Sequence, residues 1–342
     1  MPHAARPTVT LHDVAAAAGV SVSTASRVLG GSSRKVAPEY EARVLAAAEA
    51  LRYTVDASAR AMRRASDAVA LVADDLTTPS IGMVVAAMER EARTAGAFVT
   101  VSSTMGVPDR QLETVRLLRA LRPRALVLTS SRFMADALEG GLGRELRSYE
   151  RDGGRVVIVG EADPPFDAIG FDNYRAGFSA GAFVARSGHR RVAIFGGSAE
   201  LRNMSDRTAG FVAGLRAGGV AERDVRIDHC PVSRAGGFQA AERLAAAGMD
   251  GREAVLAAND LIAVGALSGF RAAGVRVPED VSVTGIDDIP LAGDVTPRLT
   301  TVALPLAHAG AEAIRFALGE AAATPRRLTL EGRLIVREST RP

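Results

Sequence analysis

The chain has 342 residues, 47% hydrophobic and 24% charged, with one cysteine, no tryptophan and a net charge of +3. That length predicts two or three domains rather than one core; no run of about 18 apolar residues marks a membrane span, and the first ten residues lack the apolar stretch of a secretory signal, so a cytoplasmic protein is expected. Cys230 has no partner for an internal disulfide and no Cys or His neighbours at metal-ligand spacing, so it reads as a small, partly buried apolar residue.

Residues 1–64 read as helical. Thr10 and Asp13 form a T-x-x-D capping box opening a helix to about Ala18. Gly19 ends it in a tight turn, and Ser21 is a good N-cap for a second helix through about Leu29. After the loop "GGSSRK", Pro38 opens a third helix to about Arg52, and 55–64 reads as a further short one. This segment carries nine basic and five acidic side chains, a net of +4 that leaves −1 for all the rest. Such an excess suits a polyanion, although charge alone fits a solvated basic tail equally well.

From residue 68 short apolar runs alternate with amphipathic helical patterns. Strands are predicted at 68–73, 97–103, 124–130, 155–160, 191–197, 225–229, 254–259 and 281–286. Helices are predicted at 81–95, 109–121, 174–187, 206–218, 235–247 and 260–273. Alternation of this kind argues for parallel sheets of βαβ units, and the break near 160–170 divides them into two similar lobes.

Two helices joined by a short glycine turn near a basic end fit a helix-turn-helix, whose second helix enters the major groove. Ser21 would direct backbone N–H groups at a phosphate, Val22 and Ser23 would face base edges, and Arg27, one turn on, would reach guanine or phosphate. The stretch "TLHDVAAAAGVSVSTASRVL" closely resembles the headpiece of the lactose/galactose repressor family of bacterial transcription regulators. "FDNYRAG", "SGHRRVAIFGG", "SDRTAGF", "AANDLIAVGAL", "VPEDVSVTGIDD" and "PRLTTV" extend the resemblance to about residue 340.

The resemblance implies an all-α helix-turn-helix headpiece followed by an α/β core of two doubly wound parallel-sheet lobes, like a periplasmic binding protein. The expected domains are a headpiece at 1–54, a hinge at 55–67 and an effector-binding and dimerisation core at 68–342. Within that core, lobe 1 spans about 68–162 and 302–320, and lobe 2 about 163–301 and 321–342. It also implies a homodimer or tetramer on palindromic double-stranded operator DNA, a small effector between the lobes, and no cofactor or metal. DNA contacts fall on Thr10, Ser21, Val22, Ser23, Thr24, Ser26, Arg27, Arg34, Ala59 and Met62. In the hinge the family usually reads Y-x-P-N-x-x-A-R-x-L, with a leucine wedged into the minor groove. Here Val55, Asp56 and Met62 stand for the Pro, Asn and final Leu, which leaves the kinking of DNA open.

The effector is expected at the carboxyl ends of the strands, on Asp74, Thr129, Asp172, Asn203, Arg207, Asn259 and Asp287. Each leading candidate has a structural alternative: Arg207 in a salt bridge, Asp287 in a turn, Asn259 or Asp260 as a helix cap. A sugar-like ligand is the first reading and a purine the second; Thr78-Pro79-Ser80 stands where the family often has Asn-Pro-Phe. An enzyme is not expected, because no phosphate-binding loop, nucleophile elbow or metal-spaced histidine pair occurs and "GGLG" at 140–143 completes no dinucleotide fingerprint. His189 reads as a local structural contact. A solute-binding protein would share the lobes but lack residues 1–64.

Overall fold

The computed structural model describes residues 9–29, 36–51, 53, 66–105, 107, 109–129, 140–160, 165–199 and 201–341. The chain forms two compact units, Met1–Ser66 and Asp67–Pro342.

In the first unit, α1 (Leu11–Ala18), α2 (Val22–Leu29) and α3 (Pro38–Ala50) enclose a small core of Val14, Ala15, Ala18, Ala25, Val44 and Ala48. The capping box is formed: the Asp13 amide donates to Thr10 Oγ1 at 3.4 Å and the Thr10 amide to Asp13 Oδ2 at 2.8 Å. These bonds from Thr10 hold the Asp13 carboxyl below its usual range. Gly19 ends α1 at φ 61, a left-handed conformation that glycine adopts without strain. Arg43 of α3 donates to the Gly19 carbonyl at 3.3 Å and so ties the third helix to the turn.

The second unit holds two six-stranded sheets. Its elements are β1 (Ser66–Ala73), α4 (Pro79–Thr94), β2 (Phe98–Ser103), α5 (Asp109–Ala120), β3 (Pro123–Thr129), α6 (Gly141–Arg151), β4 (Arg155–Val159), β5 (Asp167–Phe171), α7 (Asn173–Arg186), β6 (Val192–Phe195), α8 (Arg202–Ala217) and β7 (Val225–Asp228). There follow α9 (Arg234–Ala246), β8 (Ala254–Ala257), α10 (Asp260–Ala272), β9 (Ser282–Asp287), α11 (Pro290–Asp294), β10 (Thr300–Ala303), α12 (Leu306–Leu318), β11 (Arg327–Leu330) and β12 (Arg333–Ile335). The sheets run β2-β1-β3-β4-β5-β11 and β7-β6-β8-β9-β10-β12, the same doubly wound order twice. β12 runs antiparallel to β10, whereas β9 and β10, like β3 and β4 or β6 and β8, run parallel. Buried aliphatic runs such as "VAIF" and "AVLA" have the composition of strands covered on both faces.

The division between the lobes differs from the expected one. β5 and β11 were expected in lobe 2, from residues 163 and 321 onward, yet both hydrogen-bond into the first sheet. Asp167 explains the pairing: it accepts from the Arg326 amide at 2.7 Å and from its guanidinium, which also stacks on Phe316. The return expected near 302 falls later, because Thr300–Ala303 pairs with β9 in the second sheet and α12 packs on the first. The chain therefore crosses between lobes at residue 172, at 304–305 and at 331–332. His189 is buried with ring nitrogens 3.1 Å from the Val184 carbonyl and 2.9 Å from Ser282 Oγ. Burial holds its pKa below the usual imidazole value. Cys230 is buried, and burial raises its thiol pKa.

Candidate functional site

α2 has an inner and an outer face. Ala25 is fully buried, and at about 100° per residue Ser23 and Arg27 fall on the opposite side. Both are exposed, as is Ser21. Ser21 Oγ accepts from the Thr24 amide at 3.1 Å and lies 2.8 Å from the hydroxyls of Ser23 and Thr24. This caps the helix and gathers three hydroxyls at its amino end, where orphan N–H groups favour an anion. Thr24 and Ser26 are half-buried on the flanks. Val22, expected to face bases, is half-buried against the headpiece core, so only part of its side chain is open to a ligand. Thr10 is exposed with its hydroxyl bonded to Asp13. Arg34, Ala59 and Met62 lie outside the described residues, as do Val55 and Asp56.

In the second unit a cavity of about 410 Å³ opens between the carboxyl ends of the two sheets. Asp74 follows β1 and Thr129 ends β3, the pair flanking the strand-order reversal of the first sheet. Asn259 follows β8 and Asp287 ends β9 on the facing lobe. Asp74, Thr129, Asn203, Arg207, Asn259 and Asp287 all line this cavity. Thr129 Oγ1 accepts from the Asp74 amide at 3.3 Å and so ties the two strand ends together.

Arg207 is only 4% exposed. Its Nε donates to Asn173 Oδ1 at 2.7 Å, Nη1 to the Ala258 carbonyl at 2.8 Å, and Nη2 reaches Asp287 Oδ1 at 2.9 Å. The salt-bridge reading of Arg207 is thus part of the cavity wall. Close helix packing sets this position. A Cβ on Gly177 would lie 2.1 Å from the Arg207 carbonyl oxygen, and one on Gly210 would lie 2.1 Å from that of Tyr174. Only glycines let α7 and α8 approach so closely.

Asp287 itself has φ 124 and Asp288 φ 57, strained values for residues with a Cβ. Burial pushes the Asp287 carboxyl above its usual range while Arg207 pulls it back. Its backbone carbonyl accepts from Leu304 at the second lobe crossing, and Asp288 pairs with Arg337 at 2.7 Å.

Two expectations change. Asp172 does not line the cavity; it caps α7 by accepting from the Arg175 amide at 2.8 Å, and its neighbour Asn173 faces the cavity instead. Asp260 does not cap α10. Asn259 does, accepting from the Ile262 amide at 2.9 Å, while buried Asp260 accepts from the Ile289 amide and the Thr301 hydroxyl. Residue reading also missed Ser80, Phe171 and Ser198 in the wall; the motif "FDNYRAG" held the signal for Asn173, one place along.

A helix-turn-helix and a two-lobed receptor with a polar cleft on one chain define a ligand-responsive DNA-binding regulator. Residues 10–56 match the model of bacterial regulatory proteins of the lacI family, and 182–340 that of a periplasmic binding protein-like domain. The HTH-type transcriptional regulator GalR of Escherichia coli (strain K12) is 30% identical over 313 residues, 90% of this chain and 88% of that protein. The solved lac repressor dimer bound to operator and the anti-inducer ONPF is 25% identical with a TM-score of 0.83, covering 98% of this chain and 99% of that one. The transcriptional regulator CelR in its cellobiose complex is 28% identical with a TM-score of 0.70, covering 98% and 100%. The chain belongs to the lacI family and is a DNA-binding transcriptional regulator with an effector-binding domain. Among the described residues no helix is long and apolar enough to cross a membrane.

Proposed function

We propose that the protein is a cytoplasmic repressor that holds a palindromic operator as a homodimer. A sugar or related metabolite in the interlobe cavity sets its operator affinity, and it acts by binding, with no catalytic step. The observation that carries this reading is the convergence of Arg207, Asp287, Asn259 and Asn203 from one lobe with Asp74 and Thr129 from the other on one cavity. A ligand bridging those walls favours one lobe angle over others, and it shifts DNA affinity only as far as its affinity differs between the two states. The cellobiose complex of CelR supports the sugar class. The exposed Ser21, Ser23 and Arg27 supply the groove contacts.

Two substitutions test the reading in a fluorescence-anisotropy assay on operator DNA. Arg27→Ala weakens specific binding by about 1–3 kcal/mol; unchanged affinity sinks the assignment of α2 to the groove. Arg207→Ala leaves operator binding intact and abolishes its response to effector. Continued release or capture of DNA on effector addition would mean that the ligand sits elsewhere.

A further inference from the structure

The turn after β9 runs against backbone preference and is held from three directions. Asp287 and Asp288 carry φ 124 and φ 57, values that a residue with a Cβ leaves unless its surroundings fix it. On one side the Asp287 carbonyl accepts from the Leu304 amide at the second lobe crossing. On the other the Ile289 amide donates to Asp260 Oδ2 at 2.9 Å. Between them, Asp288 Oδ1 accepts from Arg337 Nη2 at 2.7 Å. Arg337 is itself anchored: Nη1 donates to the Leu299 carbonyl at 2.8 Å, and its backbone amide donates to Thr300 Oγ1 at 2.9 Å. It follows β12, the strand that leaves the third lobe crossing. Asp287 lines the cavity, whereas Asp288 and Arg337 stand behind it. Their side chains are 27% and 20% exposed, and a partly exposed ion pair adds little to global stability. Its effect is local, because the conformation of Asp288 decides where the residue before it points.

Building on the reading of the cavity as the effector site, we propose that Arg337 is a positioning residue for the effector response. Its ion pair holds Asp288 in the left-handed conformation and so fixes the Asp287 carboxylate in the cavity wall. The same pair ties that wall to the strand leaving the third crossing, so a change at Asp287 is felt where the lobes join.

Hydrogen exchange of the full chain, read by mass spectrometry on peptides covering 284–292, tests the hold with no effector present. In Asp288→Ala the Ile289 amide exchanges roughly tenfold to a hundredfold faster, the range set by releasing one strained residue. In Asp288→Gly it exchanges at nearly the wild-type rate, because glycine takes φ 57 unaided. Both variants lack the carboxylate, so equal exchange in the two overturns the proposal. Arg337→Gln behaves like Asp288→Ala, and adding Asp288→Gly to it restores slow exchange. A double variant as fast as Arg337→Gln alone, or loosening confined to β10 and β12, means that Arg337 serves the sheet edge and not the turn. If Arg337→Gln fails to fold, the comparison of the two Asp288 variants still decides.

Anisotropy on operator DNA, with galactose and cellobiose as probes, carries the test to function. At least one of them changes the operator affinity of the wild type. Arg337→Gln shrinks that change to roughly a fifth or less, and adding Asp288→Gly brings it back. A sugar response of wild-type size in Arg337→Gln overturns the proposal even where the turn has loosened. Should neither sugar act on the wild type, it is the sugar reading of the cavity that fails, and the exchange rates alone decide whether Arg337 holds the turn.

Discussion

Asp260 lies behind the cavity wall, fully buried at the start of α10, and both of its oxygens are engaged, by Ile289 and Thr301. Burial first, and the nearby Asp287 charge second, push its carboxyl up to about 7. The unfolded chain ionises this group near 3.9, so the folded state holds its proton over a wider range. The stability this gives is complete at acid pH and is lost as pH rises through about 7. Asparagine keeps both hydrogen bonds, because the Thr301 hydroxyl can turn to accept, and it cannot ionise. Asp260→Asn should therefore gain on the wild type by on the order of 2 kcal/mol between pH 5 and pH 8. Urea midpoints of the core transition at four pH values check this; a pH-independent difference would show that Asp260 does not titrate in that window. The same scale shows where residue reading stops. Asp172 and Asn173 are adjacent polar residues at a strand-to-helix junction, and only the direction of α7 decides which one caps and which one meets Arg207. Sequence order carries no record of that direction.

At the level of elements, α7 and α8 interlock through Gly177, Gly181, Gly210 and Gly214. A Cβ on any of the four would meet facing backbone at 2.1–2.4 Å. Gly177→Ala should push the Arg207 backbone away and destabilise the core by about 1–3 kcal/mol, as overpacking does, with loss of effector affinity alongside. Gly82 in α4 is the natural control: it is exposed and a Cβ there meets nothing within 4 Å. Gly82→Ala should stabilise by about 0.5–1 kcal/mol through helix propensity. Equal effects at the two positions, read by denaturant midpoint, would undo the close-packing argument. The eight strands read from the sequence are all present: six are largely buried runs, and the edge strands β2 and β7, partly exposed, still carry β-branched or aromatic residues. β5 "DAIGF", β10 "TTVA", β11 "RLTL" and β12 "RLI" were not, since they are three to five residues long and carry Asp, Gly, Thr or Arg. Pairing across the sheet, not local pattern, makes them strands. α6 was missed for a related reason: "GLGRELRSYER" opens on two glycines, and its buried Leu142, Leu146 and Tyr149 show helical spacing only once the face is known.

Across the molecule, two units and two lobes were legible because capping and turn residues are local and the strand–helix rhythm repeats. The three crossings were not, because they depend on which sheet a short strand joins. The units also differ in how much apolar surface they bury. The headpiece core consists of six small residues, Val14, Ala15, Ala18, Ala25, Val44 and Ala48, whereas the second unit buries Phe195, Phe211, Phe270 and long aliphatic runs. Domains below about 60 residues with small cores are marginal, so the headpiece should unfold first, well before the core. Duplex DNA binds only the folded headpiece. At a concentration about 100 times its Kd it stabilises that transition by about 2.7 kcal/mol, and raised salt erases the shift because the binding rests on phosphate contacts. A sugar in the cavity should move the upper transition instead. Differential scanning calorimetry resolves the two: the lower peak tracks duplex and salt, the upper tracks sugar. If a single peak moved with either ligand, the units would fold as one cooperative body, and the assignment of DNA to one core and effector to another would lose its thermodynamic footing.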